Sequence, residues 1–473
     1  MHLYLSLLLA YSLFLVLAGF WLGRHVRASS DFFVAGRQLG SGLIFATVLA
    51  ANIGAGSVVG ASGIGYRAGL SAWWWNGSAG IGSLLLAVWI GPRIWRLAAR
   101  HDFYTVGDLL EQRYGSAVRG VVAALLWLGT LFILAGQLIA IGWILGVVAD
   151  VPRWLGSLVG GFVIVVYFTA GGLHGSARVN LIQLIVKLAG FAIAVPLLLS
   201  RTGGFAAIAA SRELPPHAFE FWAGNASIGF AALLVPAFMI SPGLLQKAYG
   251  AKDARAVRRG FAANAIVLMV FGLVPALVGM IARMHHPNLP DPELALPVAL
   301  VRDVPASIGT LALAAVFSAE VSASDAILFM LATSLSRDLY HRFVRPDASD
   351  AQLLRVARLA AVAGGIGGVL AAIVLAGVIR ALTIFYSLLG VSLFVPVVVA
   401  LHSEVRRPRA ALASIVAGTT TFLIVWAVTG NRGWGPFTPN LVGLAAAAIG
   451  FLAVALVSPP AVGGSGSRPI AAR

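Results

Sequence analysis

Three charged side chains lie inside long apolar segments of this chain, where a charge needs a chemical reason to persist. They are Lys187 in NLIQLIVKLAGF, and Glu320 and Asp325 in AAVFSAEVSASDAILFML. A charge at mid-bilayer depth costs about 2.5–3.5 kcal/mol on insertion scales, so such groups usually face a partner or a watery cavity. An ammonium and carboxylates can neutralise one another, exchange protons or handle cations. No nucleophile and base accompany the two acids, so we do not expect an enzyme.

The composition indicates that these charges belong to an all-α polytopic membrane protein. Apolar residues make up 59% of the chain and charged residues only 11%, which is far from the balance of a soluble domain. The absence of cysteine excludes disulfides and thiolate metal sites. The first apolar run has basic residues after it and none before it, the reverse of a secretory signal, so we expect it to be retained as a first span.

Segments of about 20 apolar residues predict thirteen transmembrane helices. Their expected positions are 3–22, 41–66, 71–92, 116–149, 154–170, 179–200, 227–247, 259–283, 306–335, 354–375, 377–401, 410–428 and 439–458. We expect residues 1–460 to form one transmembrane domain and residues 461–473 a short cytoplasmic tail.

The basic residues orient the predicted helices. With the N-terminus outside, 24 of the 33 lysines and arginines fall on the inner side, which satisfies the positive-inside rule. In this count Lys247 belongs to an inner loop. The net charge of +16 is thereby explained by topology and does not indicate nucleic-acid binding. We expect a multi-pass protein of the plasma (inner) membrane with a cytoplasmic C-terminus and leave its oligomeric state open.

Two predicted helices carry backbone breakers at mid-length. The second span contains Gly54-Ala55-Gly56, and the seventh contains Ser241-Pro242-Gly243. Freed backbone groups at this depth are tolerated only where protein or a cavity satisfies them. Because the two spans lie five apart, they cross in opposite directions, which indicates an inverted repeat around a central site.

Several motifs resemble the solute:sodium symporter family. They are DFFVAGR at 31–37, LAANIGAGSVVGASGIGY at 49–66, GGLHGSARVNLIQ at 171–183, LLQKAYGAKDARAVRRG at 244–260 and SAEVSASDAILFMLATSLSRDLY at 318–340. The resemblance implies a leucine-transporter-type core of two inverted five-helix repeats, about 41–200 and 227–401, with one helix before and two after. It also implies import of a small organic solute by alternating access, driven by a sodium gradient.

The resemblance further implies a sodium site at Ala50, Ile53, Ala319 and Ser322. A broken helix offers carbonyls and the facing helix a hydroxyl to a hard cation that prefers oxygen ligands. The chain departs from the family pattern at two places. Ala323 stands where a second hydroxyl is usual, and Asn180 stands where some members carry an aspartate.

These departures suggest a different way of handling the cation. Asn180, Gln183 and Lys187 share one helical face, and we predict a polar seam in which they face Ser322 and Asp325. The Lys187 ammonium could then neutralise Asp325 and replace sodium, which makes a proton-coupled or uncoupled carrier the alternative to sodium coupling. A fixed structural pair of Lys187 and Asp325, or a Lys187 that extends to the interface, is the alternative.

The solute site is predicted on four positions beside the two breaks. The resemblance points to Ser57 and Asn76, and the second break to Pro242 and Gln246. Glu320 either lines the solute path or caps a buried polar contact. The acid and aromatic gate of sugar carriers are absent, so a small carboxylate or amino acid is the better expectation. A membrane sensor on the same domain is the competing class, and the short predicted tail favours transport over it.

Overall fold

The computed structural model describes Ser6, residues 10–14, Leu17 and residues 37–458, with only the backbone of residues 170–180. Most of the predicted first span, the predicted tail and the Asn180 side chain therefore lie outside the described residues. Tyr11 packs onto the rest of the chain, because its hydroxyl donates to Ser318 Oγ at 2.8 Å.

The regular secondary structure of the described residues is helical, apart from isolated β-bridges between Leu39 and Ala251 and between Trp434 and Phe437. Its α-helices, in chain order, are α1 Ser41–Asn52, α2 Ala61–Ala68, α3 Trp73–Leu85, α4 Gly91–His101, α5 Val106–Tyr114, α6 Ser116–Ala149, α7 Arg153–Arg201, α8 Gly204–Ala210, α9 Asn225–Ile240, α10 Pro242–Tyr249, α11 Ala254–Phe271, α12 Leu273–His285, α13 Ala295–Arg302, α14 Ala306–Thr333, α15 Asp350–Val374, α16 Val378–His402, α17 Pro408–Thr429 and α18 Pro439–Val457. Short 3₁₀ or π-helical segments join them at Gly56–Gly60, Gly69–Ala72, Leu86–Ile90, Pro292–Leu294 and Ser334–Val344.

Within the described part of the chain, ten helical runs are long and apolar enough to cross a membrane. The run Gly56–His101 contains the end of the predicted second span and the whole third span. Helix α7 continues for 49 residues and covers both predicted spans 154–170 and 179–200. A polytopic membrane protein is thereby confirmed, whereas the count of thirteen helices stays a prediction.

Both predicted breaks are present. Helix α1 ends at Asn52, where Ile53 leaves the helical region with φ −90° and ψ 89°, and regular turns resume at Gly56. Helix α9 ends at Ile240, Ser241 is extended with φ −53° and ψ 122°, and Pro242 begins α10. Proline suits a first helical position because its missing N–H has no partner to lose there.

A buried carboxylate joins a connecting segment to the start of α16. Glu293 accepts hydrogen bonds from the backbone N–H groups of Val378 at 2.9 Å and Ile379 at 3.2 Å, and from Trp143 Nε1 at 3.2 Å. Free N–H groups at a helix start carry partial positive charge and favour an anion. Burial nevertheless dominates and raises the pKa of Glu293 above its usual value.

Candidate functional site

The first helix break is held open by a side chain from α6. Gln137 Oε1 accepts the freed N–H of Ala55 at 2.9 Å, and Ser57 Oγ donates to the carbonyl of Asn52 at 2.5 Å. Gly54 allows α14 to approach the break closely, since a Cβ at position 54 would lie 2.5 Å from Ala323 Cβ. The break thus has its backbone groups partly satisfied by protein, as irregular backbone at this depth requires.

The Lys187 ammonium lies in the break. Its Nζ donates to the carbonyl oxygens of Ala50 at 3.0 Å and Ile53 at 3.2 Å, and to Ser322 Oγ at 2.7 Å. The Ser322 hydroxyl is also within 2.9 Å of the Ala50 carbonyl oxygen and 3.1 Å of the Ala319 carbonyl oxygen. Lys187 is fully buried, and three acceptors match the three donors of an ammonium.

The ammonium therefore engages three of the four groups on which the sequence predicted a sodium ion. The fourth, the Ala319 carbonyl, is joined to the same cluster through Ser322. A sodium ion among these oxygens would share them with a positive charge at hydrogen-bonding distance, and Ala323 adds no hydroxyl to compensate. These four oxygen groups do not fit a sodium ion while the Lys187 ammonium is present.

The carboxylate that acts on Lys187 is one that the sequence did not assign to it. The described hydrogen bonds of Lys187 do not include Asp325, and the carboxylate acting electrostatically on Lys187 is Glu320. Asp325, which is 1% exposed, acts on Lys247 instead. Gln183 is buried near Tyr11 and Ser318. The structure thus brings Lys187 to Ser322, whereas the pairing of Lys187 with Asp325 stays a prediction.

A central cavity adjoins both breaks. It lies between α1, α3, α6, α9, α10, α14 and α16, and residues of both breaks line it. Ser57 and Asn76 line it as predicted, and Asn76 Nδ2 donates to the Ser57 carbonyl at 2.9 Å. Glu320 is fully buried and does not belong to the lining.

Two predicted solute residues lie elsewhere. Pro242 and Gln246 line a second recess with Thr105 and Asp338, whereas Gly243, Leu244 and Lys247 of the same helix line the central cavity. With about 100° between successive residues, positions 242 and 246 share one face and 243 and 247 the next. The two predicted residues therefore face the second recess, and the neighbouring face of the same helix faces the central cavity.

Sequence reasoning missed Lys247 and Gln137. Lys247 was assigned to a loop, but it is partly buried in α10 and donates to the Thr47 carbonyl at 2.8 Å. Gln137 in the apolar run ILAGQLIAIG is a lone amide at mid-helix, and that isolation was the available signal. The cavity also has aromatic walls, formed by Trp75, Phe238, Phe385 and Tyr386.

Comparison with known proteins agrees with this architecture. A family model described as "Sodium:solute symporter family" matches residues 32–449. The chain is 27% identical over 447 residues to the sodium/pantothenate symporter of Escherichia coli (strain K12), covering 87% of this chain and 88% of that protein. It is 23% identical to the high-affinity proline transporter PutP of Bacillus subtilis (strain 168), covering 94% and 96%.

A solved structure shares the fold. The substrate-bound, outward-open structure of a Na⁺-coupled sialic acid symporter superposes with a TM-score of 0.75 at 18% identity, covering 97% of this chain and 98% of that chain. These relatives are transporters and not enzymes, so the expected resemblance to symporters is confirmed. This chain belongs to the sodium:solute symporter family.

Proposed function

We propose that this chain is a secondary active carrier of a small organic solute in which the Lys187 ammonium takes the place of sodium in the cation site. One observation carries the proposal: the ammonium donates to Ala50, Ile53 and Ser322 at 2.7–3.2 Å. These atoms belong to the two helices, α1 and α14, between which the family holds a cation.

The physical reason is competition for the same oxygens. At an effective dielectric of about 20, two unit charges 4 Å apart repel by about 4 kcal/mol. Sodium would have to overcome this repulsion and also replace the missing hydroxyl at Ala323. A tethered ammonium gives the same bridging between α1 and α14 without a bound ion, so solute movement does not require sodium at this site.

The proposed layout is the one expected from the sequence. Two inverted repeats, about 41–200 and 227–401, would bring the breaks at Ile53 and Ser241 to one cavity, and both breaks do adjoin it. The N-terminus would be outside and the C-terminus cytoplasmic, in the plasma membrane. Alternating access would then rock one set of helices against the other.

Sodium coupling is the second candidate, because the family and the sialic acid symporter both carry it in their names. In this chain it would need sodium at another position, or the displacement of Lys187 from its three acceptors. Without sodium, the driving ion is a proton or the carrier is uncoupled, which leaves three distinguishable forms of transport.

The test is transport by purified protein in proteoliposomes. Solutes are first found by their stabilisation of the protein against heat in choline buffer, and uptake is then measured in sodium or choline, each with and without a pH gradient. We expect uptake in choline to equal uptake in sodium. Uptake that requires sodium would contradict the proposal, and binding without any uptake would favour a sensor.

A matched pair of variants sharpens the result. Lys187→Ala removes the buried ammonium, whereas Lys252→Ala removes an exposed one on the connection after α10. We expect only the first to abolish sodium-independent uptake. If both variants transport like the parent, the ammonium has no role in coupling.

A further inference from the structure

We infer that the central cavity takes a solute carrying a carboxylate and that Lys247 binds this group. The inference rests on the proposed carrier function, since it names the solute class for the same cavity. It begins from a contrast between the fully buried Lys187 and the partly buried Lys247, which both donate to carbonyl groups of the same broken helix.

Lys187 and Lys247 differ in how many of their donors are used. Lys187 has three described acceptors, and it does not belong to the cavity lining. Lys247 has one described hydrogen bond, to the Thr47 carbonyl at 2.8 Å, and it does line the cavity. An ammonium has three donors, so Lys247 can offer two more to a solute.

Lys247 dominates the electrostatics of the central cavity. Among the described lining residues it is the one charged side chain, and the others are apolar, aromatic or uncharged polar groups. Asp325, which is not among the lining residues, is the described acid that acts electrostatically on Lys247. A cationic solute would meet repulsion in this setting, whereas an anionic group would find a nearby ammonium in a low-dielectric environment.

The aromatic walls indicate what else the solute carries. Tyr386 packs against Trp75, Phe238 and Phe385 with ring centroids 6.3, 5.4 and 5.2 Å apart. Such a wall suits an apolar body, while a single ammonium balances one negative charge. A small monocarboxylate with an apolar portion matches the aromatic wall and the single ammonium better than a sugar or a multiply charged anion.

Because the chain has no cysteine, an introduced thiol can report on the cavity without a known solute. Ala51 lines the cavity and lies one helical turn after Thr47, on the same face. In the Ala51→Cys variant the thiolate attacks the sulfenyl sulfur of a methanethiosulfonate, so a disulfide forms and methanesulfinate leaves. The two probes are the anionic 2-sulfonatoethyl and the cationic 2-(trimethylammonio)ethyl reagents.

The measured quantity is the ratio of the two labelling rates, divided by the ratio for a free thiol in solution. We expect it to favour the anionic reagent by about tenfold or more. Adding Lys247→Met should remove this preference and Lys247→Arg should keep it, while Lys252→Met should leave it unchanged. The ratio cancels any effect of the lysine on thiol ionisation, which accelerates both reagents alike.

Three outcomes would overturn the inference. They are a preference for the cationic reagent, a ratio unaffected by Lys247→Met, and failure of both reagents to reach the thiol. Labelling depends neither on transport nor on Lys187. A negative result here therefore leaves the sodium-independent carrier standing, and a sodium-dependent carrier would leave the anion preference standing.

Discussion

The Nζ of Lys187 and the Oγ of Ser322 lie 2.7 Å apart, and both are within hydrogen-bonding distance of the Ala50 carbonyl oxygen, at 3.0 and 2.9 Å. This triangle joins α7, α14 and the end of α1 at one point. In a bundle where helix–helix packing lacks a hydrophobic driving force, such a buried polar junction fixes how the broken helix sits against its neighbours.

Removing the Lys187 ammonium should lower the free energy of unfolding, and removing the Glu320 carboxylate as well should restore part of that free energy. Lys187→Met leaves the Ala50 and Ile53 carbonyls without this donor and deprives Glu320 of its positive neighbour. A buried polar group left without its hydrogen-bond partner costs about 1–3 kcal/mol. Adding Glu320→Gln should recover about 1–3 kcal/mol of the free energy of unfolding.

Denaturant unfolding of the parent, the two single variants and the double variant measures this coupling. Lys252→Met serves as the control and should change the free energy by no more than about 0.5 kcal/mol. Strictly additive effects of Lys187→Met and Glu320→Gln would show that the two groups do not interact.

Gln137 should stabilise the first break through one hydrogen bond. In Gln137→Met the N–H of Ala55 loses the amide oxygen at 2.9 Å and keeps the Glu320 carboxylate as a neighbouring acceptor, so we expect a loss of about 0.5–1.5 kcal/mol, the net contribution of one hydrogen bond. Gln137→Glu keeps an oxygen at the same place and should recover the bond, although it adds a buried charge. Equal free energies of unfolding for Gln137→Met and the parent would refute this assignment.

The sequence predicted the Lys187 cluster because each member had a recognisable signal. Lys187 was a lone charge in an apolar run, and Ala50, Ile53 and Ser322 stood on motif positions flanking a Gly-rich break. Lys247 carried no such signal, because the charged stretch AKDARAVRRG follows it directly and makes the helix end read as a loop. Which acid acts on a buried lysine depends on helix rotation and tilt, so the electrostatic influence of Glu320 on Lys187 and of Asp325 on Lys247 was not foreseeable.

Periodicity likewise located the spans but not their connections. Apolar runs marked where helices occur, while the merged run Gly56–His101 arises because the turn at Gly69–Ala72 is itself helical. Glu293 lies in the polar connection HHPNLPDPELALP, and only the fold shows that it caps α16.

Glu293 should give the protein a measurable pH dependence. Burial raises its pKa in the folded state, so the ionised form is less favourable there than in the unfolded chain. The stability contributed by Glu293 is therefore fully present below the usual glutamate pKa and is lost as the pH rises through the raised value. Glu293→Gln keeps an uncharged acceptor for Val378 and escapes this loss.

Melting temperatures between pH 4 and pH 8 test this sign. We expect the melting temperature of Glu293→Gln, relative to the parent, to increase with pH. Glu404→Gln, at an exposed position after α16, should show no such trend. A relative melting temperature that falls with pH for Glu293→Gln would mean that the amide hydrogen bonds outweigh burial.

Sodium binding to purified protein tests the central claim most directly. Thermal stability is measured in matched concentrations of sodium and choline for the parent, for Lys187→Ala, and for Lys187→Ala combined with Ala323→Ser, which supplies the missing hydroxyl. We predict no sodium effect in the parent and a sodium-dependent rise in melting temperature in the variants, largest in the double variant. Sodium-dependent stabilisation of the parent that persists unchanged in Lys187→Ala would contradict the proposal that Lys187 occupies the cation site.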